Sequence, residues 1–307
     1  MFILNHKKFF LFLAIVLVIA SIGSIFHYGL KPSIDFKGGS VLEVAWNNGP
    51  IPEVGALKSY VSEHGYPELT VQTSGSNEYL LKVRSLDEKG YEDIVAVVNA
   101  ATNGGDAKST NVVEVKQFSS IGPSIGKELT RKAWLAILIV VIAIILFIAF
   151  AFRQVSYPIS SWVYGVVAVV TLAHDIIIPT GLFAALGHYQ GAEVDTLFVV
   201  ALLTVLGLSV HDRIVVFDRI RENLKLKKFA NFYETVGKSI EQTFVRSVNT
   251  SLTIIFVLLS LYFIGPVATK NFSLVLTVGL FFGIYSSVFV ASPLLTVVEK
   301  WQNRRAK

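Results

Sequence analysis

Between Gly207 and Asn223 the chain carries His211, Asp212 and Arg213 in a row, directly after an almost purely apolar run from Leu197 to Val205. A helix through that run reaches the three ionisable side chains before it leaves the apolar zone. Inside a bilayer an Asp or Arg at mid-depth costs roughly 2.5–3.5 kcal/mol, so such groups face other helices, a wet cavity or each other. The chemistry open to an intramembrane carboxylate is proton uptake and release, alternating between a paired, ionised form and a released, protonated one. The next apolar segment supplies a partner, Arg246, within Thr243 to Ser251. A charged stretch joins the two segments, which makes them antiparallel and puts Asp212 and Arg246 near the same end. A carboxylate–guanidinium contact is therefore expected between them, as a proton switch or as a static clamp. His211 is a further group able to carry the proton.

Another apolar run holds His174 and Asp175. Counted from Pro158, Asp175 lies about 25 Å along a helix, past the middle of a ~30 Å hydrocarbon core. A buried carboxylate stays neutral unless it is paired. Asp175 is thus either a second proton station or a hydrogen-bonded brace, and His174 is a brace.

The elements that position these groups follow from composition. The chain has 307 residues, 53% apolar and only 16% charged, with a mean hydropathy of +0.59, too apolar for a soluble protein of this length. Six runs have the roughly 20 residues that a crossing takes. They are Phe9 to His27 and the neighbourhoods of 133–152, 159–186, 197–217, 247–264 and 272–298. The first is read as an uncleaved anchor rather than a signal peptide, because its apolar length is that of a full span. No cysteine is present, which excludes disulfides and thiolate metal sites.

Lys and Arg in short loops set the orientation. Lys7 and Lys8 precede the first run, Arg153 follows the second, six basic residues from Arg219 to Lys238 follow the fourth, and Lys300, Arg304, Arg305 and Lys307 close the chain. The stretch from Gly187 to Thr196 has no Lys or Arg but has Glu193 and Asp195. Both termini are then cytoplasmic, and residues 28–130 form one external domain. The net charge of +5 reflects this topology rather than nucleic-acid binding. Residues 218–245 read as a basic loop, with Leu224, Phe229, Phe232, Tyr233 and Val236 among the lysines, lying on the cytoplasmic face of the bilayer. On the sixth run Gly279, Gly283, Ser287 and Ala291 recur every four residues, a stripe that lets helices pack closely.

In the external domain, Asp35-Phe36-Lys37-Gly38-Gly39 opens with paired glycines suited to a turn closed to other residues. Strands are expected at 40–46, 69–72, 79–83 and 111–118, with a turn at Ser74 to Asn77 and a loop at Asn103 to Asp106. Helices are expected at 53–63, with Pro52 at its first position, and from Asp87 as N-cap to about Ala101. This β-α-β-β-α-β order is ferredoxin-like. It holds no nucleophile–base pair or metal-ligand spacing, and His64 is a surface histidine.

The segment from Gly207 to Asp212, followed by Val215-Val216-Phe217-Asp218-Arg219-Ile220-Arg221-Glu222-Asn223, resembles the fourth-helix signature of the SecF family, roughly G-Y-S-x-N-D-T-V-V-V-F-D-R-I-R-E-N. These are the smaller subunits of the SecDF accessory motor of bacterial protein export. The chain departs from the pattern at Leu208, His211 and Arg213 and keeps Asp212. The resemblance extends to the Asp35, Gly38, Gly39 motif. It extends also to His174-Asp175, to Gly122, Pro123 and Gly126 before the second helix, to Asn249 to Thr253 and to Tyr285-Ser286-Ser287. The Gly122 to Leu129 segment reads as a hinge or a plain connector.

The resemblance implies a polytopic α-helical membrane protein with six transmembrane helices and one external ferredoxin-like α+β domain between helices 1 and 2. Residues 1–27 make the first helix, 28–130 the external domain and 131–307 the remaining five helices. It also implies a multi-pass subunit of the bacterial inner membrane, paired with a SecD homologue. Its further partners would be the SecYEG translocon with SecA, YajC and YidC, and the translocating preprotein. The proton gradient would be its energy source, with no cofactor and no metal. Asp212, Arg246, His211 and Asp175 would form the relay. The rivals are half of a proton-driven exporter of small molecules or lipids, and a passive scaffold of the translocon. An intramembrane enzyme is excluded by the lack of a His-Glu-x-x-His or a nucleophile-elbow serine.

Overall fold

The computed structural model describes residues 1–46, 51–74, 77–103, 113–151 and 158–305. Arg153, Gly75, Ser76, the loop residues Gly104 to Asp106, Asn111 and Lys307 lie outside them. In chain order the elements begin with α1 (Phe2–Asn5), α2 (Lys7–Tyr28), α3 (Ile34–Lys37), β1 (Gly39–Ala45), α4 (Val54–Glu63), β2 (Thr70–Thr73), β3 (Glu78–Val83), α5 (Glu88–Thr102) and β4 (Glu114–Ile121). They continue with α6 (Pro123–Ala151), α7 (Ser161–Tyr189), α8 (Thr196–Lys225), α9 (Phe232–Ile264), α10 (Val267–Tyr285), a π-helical segment (Ser286–Ala291) and α11 (Ser292–Arg305). Two compact units result, Met1–Lys31 with Trp134–Lys307, and Pro32–Ala133.

The first unit is helical. Among the described residues six helices are long and apolar enough to cross a membrane: α2, α6, α7, α8, α9 and the run from α10 through the π segment into α11. α7, α8, α9 and the last helix place apolar side chains in two layers. Tyr164, Leu172, Phe217, Ile220, Val236, Ile240 and Leu295 belong to one core. Phe183, Phe198, Leu202, Ile255, Leu258, Leu276 and Leu280 belong to the other. Between these two sets along the chain lie buried polar residues: His174 and Asp175 on α7, Ser209, Asp212 and Arg213 on α8, Thr243, Ser247 and Ser251 on α9, and Ser286 and Ser287 on the last helix. A polar layer therefore crosses the bundle between two apolar ones. The small-residue stripe does what its spacing suggests: a Cβ on Gly279 would strike the Val205 side chain, and one on Gly283 would lie 2.5 Å from Ser209 Oγ.

One expectation needs correction. Residues 218–245 are not a basic loop, because α8 runs on to Lys225 and α9 starts at Phe232. Phe232, Val236 and Ile240 recur every four residues and are buried in the first core rather than turned to lipid. Asn231 caps α9, its Oδ1 accepting from the Glu234 amide at 2.8 Å.

The second unit is a four-stranded antiparallel sheet of order β2-β3-β1-β4, with α4 and α5 as its two crossovers. That is the ferredoxin-like arrangement. Leu42 and Val44 of β1, Leu81 of β3, Leu57 and Val61 of α4, and Ile94 and Val98 of α5 fill its core. Asp87 caps α5 as expected, accepting from the Gly90 amide at 2.9 Å. Glu53, not Ser or Asp, is the N-cap of α4, which leaves Pro52 outside the helix. The last strand runs three residues beyond the expected Phe118, because β1 pairs with it from Ala45 back to Gly39 opposite Ile121.

The two glycine motifs meet inside this unit. Gly38 has φ +81°, and a Cβ there would lie 2.8 Å from Pro123 Cα. A Cβ on Gly126 would lie 2.8 Å from the Phe36 carbonyl oxygen. Each motif therefore needs glycine because the other motif's backbone occupies the space. The segment from Gly122 is accordingly no connector: Pro123 is the first residue of α6, where its missing N–H costs nothing.

Candidate functional site

The polar layer is centred on Arg213 and Asp175. Both side chains are fully buried and form an ion pair, Arg213 Nη2 to Asp175 Oδ2. Arg213 Nη2 also donates to Ser286 Oγ at 2.8 Å, and Asp175 Oδ1 lies 3.0 Å from His174 Nδ1. Local structure aims these groups. Arg213 lies on the buried face of α8 with Ser209, Leu206 and Leu202, at the helical period of three to four residues. Ser286 opens the π segment, a feature frequent at functional sites. Pro179 lies inside α7 four residues after Asp175, and its missing N–H leaves the Asp175 carbonyl without a helical partner. The pair is not saturated. Arg213 Nε and Nη1, His174 Nε2, Ser209 Oγ and Ser287 Oγ are buried with no hydrogen-bond partner.

Asp212 points elsewhere. Successive residues on a helix are about 100° apart, so Arg213 faces α7 and the π segment while Asp212 faces α9. There Asp212 Oδ2 accepts from Ser251 Oγ at 3.1 Å. The expected contact with Arg246 is not made, and its reason lies in register. Asn223 meets Ser239, Arg219 meets Gln242 and Asp212 meets Ser251 across the α8–α9 hairpin. In that register Arg246 is level with Val216, four residues or about 6 Å from Asp212 along the axis. It also sits one residue off the buried face that carries Ser247 and Ser251, and its side chain is exposed. His211 is likewise exposed on the outer side of α8.

Asp218 to Asn223 do structural work at the hairpin. Asn223 is fully buried and donates from Nδ2 to Ser239 Oγ at 2.8 Å and Gln242 Oε1 at 3.0 Å. Arg219 donates from Nε to the same Gln242 oxygen at 2.6 Å and from Nη1 to Glu222 at 2.6 Å. Arg221 Nη1 lies 3.4 Å from the Ala151 carbonyl and 3.5 Å from Asp218. Asp35 lies in α3, its amide donating to Ser33 Oγ at 3.2 Å.

A membrane bundle with one inserted ferredoxin-like domain and a buried carboxylate–guanidinium pair defines a class of polytopic membrane proteins with a charged layer inside the bundle. Residues 104–301 match the family described as protein export membrane protein SecD/SecF, C-terminal, and residues 23–45 match the SecD/SecF GG motif. The chain belongs to the SecD/SecF family. It is 36% identical over 304 residues to the protein translocase subunit SecF of Anaerolinea thermophila, covering 98% of this chain and 96% of that one. It is 34% identical over 298 residues to the protein translocase subunit SecDF of Thermus thermophilus, covering 95% of this chain and 37% of that one. The crystal structure of SecDF from Thermus superposes with a TM-score of 0.80 at 32% identity, covering 98% of this chain. The chain spans only 38% of that larger protein.

Proposed function

We propose that this chain is the SecF-like subunit of a protein-export complex, in which protons moving through the helical unit drive the external domain to assist preprotein translocation. The SecF relatives that match nearly end to end support the export role. The proton step rests on one observation: Asp212 is buried in the bundle, and its hydrogen bond comes from the neutral Ser251 rather than from a fixed cation. A carboxyl group so placed exchanges a proton without first breaking an ion pair. Asp175, fully buried against Arg213, acts as the brace of the layer. In this reading the complex lies in the bacterial inner membrane with both termini cytoplasmic, and needs no cofactor. Its partners are a SecD homologue, the SecYEG channel with SecA, YajC and YidC, and the preprotein. Arg246 and His211 are exposed beside the Asp212 layer, where a partner such as the SecD homologue could engage them.

The test is translocation of a preprotein into membrane vesicles at fixed SecA and ATP, with and without a proton gradient. Asp212→Asn keeps size and hydrogen bonding but cannot ionise. The variant is expected to remain folded and complexed while losing the response to the gradient. A full response in Asp212→Asn would leave the polar layer a passive scaffold, the rival that the full burial of the Asp175–Arg213 ion pair favours.

A further inference from the structure

The end of the helical unit where α2 and α9 begin carries two features that the polar layer does not use. The first is a cavity of about 380 Å³ between α1, α9 and the π segment, walled by Phe2, Ile3, Leu4, Ile240, Phe244 and Phe289. Its walls are almost wholly apolar. The charged group at its rim, Glu241, is held by the amino terminus and by Lys238 at 2.9 Å. The second is a pair of lysines on one aromatic ring. Lys7 Nζ lies 5.2 Å and Lys300 Nζ 5.6 Å from the centre of the Tyr233 ring, and Tyr233 Oη donates to Asn5 at 3.0 Å. Lys7 donates to Thr296 Oγ1 at 2.9 Å. The two ammonium groups repel each other and Glu299 offsets one of them, so the pair keeps a net positive charge.

The two features adjoin. Tyr233 precedes Gly237, on the cavity floor, by one turn of α9, about 6 Å, and Lys7 follows the cavity residue Leu4 by three positions. The lysines stand nearer the helix ends and the cavity nearer the bilayer middle. Trp301, half-exposed beside Lys300, adds an aromatic side chain of the kind that sits at headgroup level.

We propose that this end of the bundle is a binding site for one anionic phospholipid, its phosphate between Lys7 and Lys300 and one acyl chain in the cavity. Basic pockets between membrane helices recognise anionic headgroups in this way. A neutral lipid leaves the lysine pair uncompensated. A free phosphate ion leaves the apolar cavity without an occupant.

Native mass spectrometry of the purified full-length protein, delipidated and then mixed with phosphatidylglycerol, phosphatidylcholine or inorganic phosphate, tests this. The wild type is expected to retain one phosphatidylglycerol with a preference of about fivefold over phosphatidylcholine, the factor that one net positive charge gives. Lys7→Gln/Lys300→Gln should bring that preference near unity. Gly237→Leu puts a Cβ 2.6 Å from Met1 Sδ and 3.2 Å from Leu4 Cδ1, so it should displace these wall residues and lower retention of both lipids. Lys300→Gln alone, on an exposed side of α11, should lower the preference several-fold and serves if the double variant misfolds. A wild type without preference, a wild-type preference in the lysine variants, or displacement of the lipid by millimolar phosphate would each overturn the proposal.

Discussion

The Asp175–Arg213 pair makes an asymmetric prediction about stability. Both side chains are fully buried, so removing one partner strands the other charge, at a cost of about 3–5 kcal/mol. The two removals differ. Asp175→Asn leaves Arg213 with the neutral Ser286 as its partner, and a guanidinium cannot lose its proton. Arg213→Met leaves Asp175 beside His174, and a carboxyl group can take up a proton. Asp175→Asn is therefore expected at the upper end of that range and Arg213→Met at the lower. The double variant removes both charges of the pair. It also removes Arg213 Nε and Nη1, which are buried without partners. Replacing a buried pair by uncharged groups of similar volume is often neutral or stabilising. The double variant should thus lie within about 1 kcal/mol of the wild type, far from the sum of the singles. Reversible unfolding in mixed micelles, followed by circular dichroism, measures all four proteins. Additive losses, or a double variant as weak as Asp175→Asn, would refute the claim that these two groups are each other's charge partner.

Three further expectations concern the scaffold. Asn223→Ala deletes two buried hydrogen bonds at the α8–α9 hairpin and should cost about 1–3 kcal/mol, read as a lower unfolding midpoint. Gly126→Ala puts a methyl group 2.8 Å from the Phe36 carbonyl oxygen and should destabilise the ferredoxin-like unit by about 1–3 kcal/mol. Limited proteolysis around 36–39 reports that loss, and no change would mean that α3 yields freely. Tyr66 donates to Asp93 at 2.8 Å, and burial, reinforced by that carboxylate, pushes its pKa up to about 12. A group raised in the folded state gives stability that is whole below its unfolded value, about 10, and is lost as pH rises through the folded value. The wild type should therefore lose stability relative to Tyr66→Phe between about pH 10 and 12, and parallel curves for the two proteins would disprove the contribution.

Much of the fold is legible in the residues because it depends on gross signals. Six apolar runs with basic flanks give the helical unit, and alternation in β1 with the Asp87 cap gives the ferredoxin-like order. The α8–α9 hairpin escaped because apolar residues interleaved with lysines suggested a basic loop lying on the bilayer surface. Yet Phe232, Val236 and Ile240 already had the four-residue period of a buried helical face, and Asn231 followed by Glu234 is a capping box. Composition outweighed periodicity where periodicity was the better guide.

The site was legible in its residue types and misread in its pairing. Arg246 looked like the partner of Asp212 because both lie near the same end of adjacent antiparallel helices. Depth is a coarse coordinate, and a helix adds a second one, the angle about its axis. Arg213 shares the angle of Leu202, Leu206 and Ser209, all buried, whereas Arg246 is rotated by one residue from Ser247 and Ser251. Angle therefore decides which arginine enters the layer. Charge balance points the same way, since an arginine within the bilayer must find a carboxylate and Asp175 stands at mid-helix on α7. The consequence is a division of labour between neighbours on α8. Arg213 closes the layer toward α7 with a permanent charge, which leaves Asp212, turned toward α9 and Ser251, without a fixed cation of its own. On the proposed proton step, a substitution that moved the arginine to the α9 side would pair Asp212 permanently, and translocation into vesicles should then lose its dependence on the proton gradient while the fold is stabilised.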